Sequence, residues 1–128
     1  MVEQILTKEM IEAGESLLRL MDEKKMKPDA VLWFYSPDIQ KYKLLIAMPK
    51  ERQLGPKKFY KKIQNIISEL PEQNRISLDE ITLAKSNAPI ISLLKFAIRT
   101  GPGVSGIRFT NNVINGTVIE DAYIYRLV

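Results

Sequence analysis

The chain has neither histidine nor cysteine. Without imidazole or thiolate the soft metal ligands are missing, so structural zinc is not expected, and every Ser-His or Cys-His nucleophile is excluded. Catalysis would have to rest on carboxylates holding a hard cation, on a lysine of shifted pKa, or on arginines and backbone amides facing an anion. The balance leans away from an enzyme, and no cofactor or metal is expected. Disulfides are impossible, which agrees with a cytoplasmic setting.

Long hydrophobic runs are also missing. The longest, Ala88 to Ile98, is interrupted by Pro89, Ser92 and Lys95 and falls well short of the roughly 20 apolar residues of a membrane span. It reads as a core helix, and no membrane partner is expected. The N-terminal Met1-Val2-Glu3-Gln4-Ile5-Leu6-Thr7 lacks the basic and apolar regions of a signal peptide, so export is not expected.

What is present suits a folded domain. Hydrophobic residues make up 45% and charged residues 27% of 128 positions, a composition able to bury one core without staples. Residues 1–128 are read as a single domain.

The hydrophobic spacing gives the elements. Thr7 is a candidate N-cap, and Met10, Gly14, Leu17, Leu18 and Met21 fall on one helical stripe reaching about Lys25. Gly14 lies within that stripe, where glycine costs about 1 kcal/mol relative to alanine, so a close neighbour is expected there. Ala30 to Tyr35 is apolar on both faces and predicts an interior strand. The turn residues Ser36-Pro37-Asp38 then lead to a second strand around Tyr42 to Met48. Pro56 fits the first position of a helix whose stripe is Phe59, Ile63, Ile66, Ile67 and Leu70. Glu80 to Leu83 predicts a short strand. A third helix should run from Asn87 and Pro89 to about Arg99, largely buried because it is apolar almost all round. Asn115-Gly116 between β-prone runs marks a terminal hairpin. The order α-β-β-α-β-α-β-β predicts an α+β fold with a mixed sheet of about five strands and three helices.

Positive charge is concentrated. From Lys41 to Lys62 eight cations (Lys41, Lys43, Lys50, Arg52, Lys57, Lys58, Lys61 and Lys62) stand against Glu51 alone, a net of +7 in a chain of +4, leaving −3 elsewhere. Lys57, Lys58, Lys61 and Lys62 oppose the apolar stripe of the second helix and, with Lys43 and Arg52, form a candidate nucleic-acid surface. The plainer reading is an ordinary solvated face, with Trp33 in the core rather than stacked on bases.

Gly101-Pro102-Gly103-Val104-Ser105-Gly106 spells GxGxxG. A phosphate-binding version needs strand, loop and helix in that order, whereas this one follows a helix and precedes a strand, so a dinucleotide fold is rejected. A helix stop with an irregular lead-in to a strand explains it. The alternative is an anion-binding loop in which Gly101, Gly103 and Gly106 are flanked by Arg99 and Arg108, with Glu120 converging on the same pocket. The adjacent acids Asp79-Glu80 and Glu120-Asp121 point to opposite faces of a strand and make poor metal sites; of these Glu120 is the better candidate.

These features leave three functional expectations: a non-enzymatic binding module, with homo-oligomerisation covering apolar faces that three helices leave open; a nucleic-acid accessory protein; and a small-anion or phosphate-ligand enzyme.

Overall fold

The computed structural model describes residues 4–128; Met1, Val2 and Glu3, part of the N-terminal stretch read above, lie outside it. Helices α1 (Lys8–Glu23), α2 (Pro56–Ser68) and α3 (Pro89–Ala97) alternate with strands β1 (Ala30–Ser36), β2 (Lys41–Ala47), β3 (Ile81–Ala84), β4 (Ile107–Ile114) and β5 (Thr117–Leu127). The five strands form one mixed sheet in the order β3-β2-β1-β5-β4. Only β2 and β3 are parallel, joined through α2; the other neighbours are antiparallel. This is the predicted α+β order, with three single-turn 3-10 helices added at Lys50–Arg52, Glu72–Asn74 and Leu78–Glu80.

The sheet separates two apolar layers. On one face Val31, Trp33 and Tyr35 of β1 join Leu44 and Ile46 of β2 and meet Leu17, Leu18 and Met21 of α1 and Phe59 and Ile63 of α2. On the other, Ala30, Leu32, Ala47, Ala122 and Ile124 receive Ile91 and Leu94 of α3. The alternation along β1 puts successive side chains into different layers, which is why the run is apolar without interruption. Each fully buried leucine or isoleucine contributes about 1.5–3 kcal/mol.

Local chemistry sets the element ends. The Thr7 hydroxyl accepts from the Met10 amide at 3.1 Å and caps α1. Asn115 and Gly116 have φ of 49° and 80°, the left-handed pair that a tight hairpin requires. At Gly14 a Cβ would lie 2.9 Å from Trp33 Nε1 and 2.8 Å from Tyr125 Cζ, and would collide with the Tyr125 hydroxyl. That hydroxyl donates to the Ile11 carbonyl at 2.6 Å, and Trp33 Nε1 donates to the Met10 carbonyl at 3.1 Å. The glycine lets two aromatic side chains reach the backbone of α1. At the sheet edge, the Leu83 amide of β3 donates to the Tyr60 hydroxyl at 2.9 Å.

One expectation needs correction. Helix α3 is not largely buried: Ile91 and Leu94 are, but Phe96 is 75% exposed. Its nine residues pack through Ile91 and Leu94, with Ile90 and Leu93 partly buried beside them, while Ser92, Phe96 and Ala97 are exposed among the described residues. It also ends at Ala97 rather than near Arg99.

Candidate functional site

Helix α2 buries Phe59, Ile63 and Ile66 and turns Lys57, Lys58, Lys61 and Lys62 to solvent. No ion pair engages these four among the described residues, although Lys24 pairs with Glu69 at 3.0 Å nearby. Lys57 and Lys58 occupy the first turn, which contains no acidic residue, and its N-cap, Gly55, supplies no side-chain cap. The positive end of the helix dipole repels cations at that position, so two lysines there work against helix stability. An approaching anion would meet lysine ammonium groups and unspent backbone N–H groups together.

The remaining predicted basic residues divide. Arg52 is exposed, and its Nη1 reaches the Lys27 carbonyl at 3.5 Å. Arg52 and Lys62 line one shallow cavity with Lys25 and Glu51, which places Arg52 beside the lysine face of α2. Lys43 is half-buried and turned elsewhere, its ammonium donating to the Asp79 carbonyl. Trp33 is fully buried, which closes its ring to base stacking, and Tyr60 is half-buried with its hydroxyl held by β3.

The residues grouped around the glycine-rich loop are spread along the molecule. Arg99 is exposed beside Thr100, whose amide donates to the Leu127 carbonyl at 2.9 Å at one end of β5. Glu120 is exposed near the opposite end, seven residues away and about 23 Å along an extended strand. Gly101 and Gly103 have open space where a side chain would stand, and a Cβ at Gly106 would press on Tyr123. The Gly103 carbonyl accepts from Arg126 Nε at 3.2 Å. The loop is therefore an irregular lead-in to β4, tied to β5 by the Ser105 amide at 2.7 Å from the Tyr125 carbonyl.

Arg108 is drawn into a different constellation. Its Nε and Nη2 each lie 2.6 Å from a carboxylate oxygen of Asp121, which also accepts from Thr110 Oγ1 at 3.1 Å and from the Tyr42 hydroxyl. The Arg108 side chain is 47% exposed and that of Asp121 10%. Burial opposes ionisation of Asp121, but the hydrogen bonds from Arg108 and Tyr42 outweigh it and hold the carboxyl below its ordinary range. Burial, reinforced by the neighbouring carboxylate, pushes the Tyr42 hydroxyl upward. Arg108 is raised chiefly by its hydrogen bond to Asp121. Each carboxylate oxygen accepts two donors, so the group is saturated and serves to join β2, β4 and β5. In the Glu120-Asp121 pair it is thus Asp121 that is buried and Glu120 that faces water. Nothing local marked Asp121 out from Glu120, because its partner Tyr42 lies 79 residues away.

A second buried ion pair lies at the other end of β5. Arg126 Nη1 and Nη2 contact Asp22 of α1 at 2.9 and 2.7 Å, and Nη1 also donates to the Pro28 carbonyl at 3.2 Å. Among the described residues no three carboxylates cluster as a metal site, and no helix is long and apolar enough to cross a membrane.

Comparison with known proteins brings no relative: no protein-family model matches the chain, and no curated protein or solved structure is similar to it.

Proposed function

We propose that this chain is a non-enzymatic binding module that holds a polyanion, with nucleic acid as the first candidate, against the outer face of α2. One observation carries the reading: Lys57 and Lys58 stand exposed, without an ion pair among the described residues, at the positive end of a helix dipole, where they disfavour the helix, with Lys61 and Lys62 one turn further along. Charge kept against local stability suits an external anion. With Trp33 buried and Tyr60 half-buried beside the lysine face, the reading is of recognition through backbone charge rather than base identity. The setting proposed is the cytoplasm, consistent with a chain free of cysteine.

Fluorescence anisotropy with a labelled DNA duplex tests it. Affinity should fall steeply with salt, and replacing Lys57, Lys58, Lys61 and Lys62 by glutamine should flatten that slope. Binding that ignores salt, or that survives the fourfold replacement unchanged, rejects the reading.

A second reading, homo-oligomerisation, draws on exposed apolar side chains: Phe96 of α3 at 75%, and Val113 and Val118, a cross-strand pair of the terminal hairpin, at 65% and 59%. Light scattering decides it, since a monomer at high concentration removes it.

A further inference from the structure

A cavity of about 370 Å3 lies where α1 hands over to β1, lined by Asp22, Lys27, Asp29, Arg52 and Arg126. Pro28, Pro102 and Val128 supply its apolar wall. These residues come from separate stretches of chain joined by hydrogen bonds, the Val128 amide donating to the Asp29 carbonyl at 3.0 Å and the Arg52 side chain, through Nη1, to the Lys27 carbonyl at 3.5 Å. The volume is within the range of small-molecule sites.

Its charges are unequally spent. The Arg126 side chain is only 4% exposed. A guanidinium has five N–H donors, and Arg126 uses four: one on Gly103, one on Pro28 and two on Asp22. Asp22 is neutralised by that grip. Beyond those bonds one Arg126 N–H is left over, and Lys27, Arg52 and Asp29 bring two cations and one carboxylate to the same lining. Lys27 is held in this wall with φ of 42°, a left-handed conformation uncommon outside glycine, asparagine and aspartate.

We infer that this cavity binds the phosphate ester of a small polyhydroxylated molecule. Three cationic donors converging from different segments match the several oxygens of a phosphate better than the two of a carboxylate. Asp29 would repel a bare anion but accepts hydrogen bonds from hydroxyl groups, which assigns it to the sugar-like end of the ligand. The proline and valine wall packs against carbon rather than stacking a base. Arg52 borders the lysine face of α2 as well, but none of Lys57, Lys58, Lys61 and Lys62 lines this cavity.

NMR titration of the full chain with ribose 5-phosphate, and in parallel with inorganic phosphate, tests the assignment. Saturable shifts are expected at the amides of Lys27, Asp29, Arg52 and Arg126. Lys27→Gln and Arg52→Gln, both at exposed positions that leave the Asp22 pair intact, should each weaken both probes about tenfold, the loss of one charge-assisted hydrogen bond. Asp29→Asn should weaken ribose 5-phosphate and not inorganic phosphate. Glutamine at Lys57, Lys58, Lys61 and Lys62 should change neither, although it flattens the salt dependence of the polyanion binding proposed above. Absence of saturable shifts at these amides, or insensitivity to both Lys27→Gln and Arg52→Gln, overturns the site. Equal response of the two probes to Asp29→Asn overturns the polyol assignment.

Discussion

The hydroxyl of Tyr125 occupies the space above Gly14, so that the last strand touches the backbone of the first helix at the one residue without a side chain. The contact joins positions more than a hundred residues apart.

Gly14→Ala should therefore destabilise the protein, although alanine favours an exposed helix by about 1 kcal/mol. The added methyl displaces two aromatic side chains whose polar atoms are hydrogen-bonded to α1, and overpacking of this kind costs about 1–3 kcal/mol. A lower urea midpoint with unchanged slope is the expected result; a higher midpoint contradicts the packing described.

Asp121→Asn should cost about 1–3 kcal/mol by weakening the bonds to Arg108 and Tyr42. Because the folded carboxyl titrates below its ordinary value of 3.8, the stabilisation it supplies is complete above that value and is lost as pH falls through the folded one. The wild-type protein should lose stability on acidification through that window more steeply than Asp121→Asn. Denaturant melts at a series of acidic pH values compare the two slopes.

Tyr42→Phe acts at the alkaline end. The Tyr42 hydroxyl is raised above its ordinary 10.0 by burial and by Asp121, so its contribution is full below pH 10 and declines as pH rises toward the folded value. The variant should be about 1 kcal/mol less stable at neutral pH yet show a shallower loss above pH 10. Some loss remains, because Tyr125 is raised in the same direction by its own burial.

The double change Lys57→Glu with Lys58→Glu should separate folding from binding. Carboxylates in the first turn of α2 complement the dipole, so stability should rise by about 0.5–1 kcal/mol. Duplex binding should fall by more than the salt-matched loss from neutral glutamine at the same positions. Thermal melts and anisotropy on the same sample give both numbers; a variant that is less stable and binds as before contradicts the proposed role of this turn.

Features governed by neighbours in sequence were legible. The Thr7 cap, the Asn115-Gly116 turn, the strand period of β1 and the start of α2 at Pro56 each depend on contacts within a few residues, and each stands where the sequence placed it. The close neighbour expected at Gly14 was legible as a vacancy, but that Tyr125 fills it was not. Helix α3 misled because apolarity signals burial only when something exists to bury against, and Phe96 on this nine-residue helix is left exposed among the described residues. The exposed lysines of α2 followed from helical period alone. The Asp22-Arg126 and Asp121-Arg108 pairs did not, since charged residues carry no mark of a partner 104 or 13 positions distant. The cavity beside Arg126 is likewise made by folding, from a helix exit, a connection and the end of β5.

The bond between Leu83 and Tyr60 bears on how copies of this chain could meet. One border of the sheet, β3, is four residues long and has that amide already taken by α2. The other, β4, is eight residues long and leads directly into the hairpin with its exposed valines. A strand adding at β3 would have to displace the Leu83–Tyr60 bond, so pairing between copies would favour the β4 border. Were two copies to pair β4 against β4, each would spend its longer border on the other, and such a contact would close at two chains.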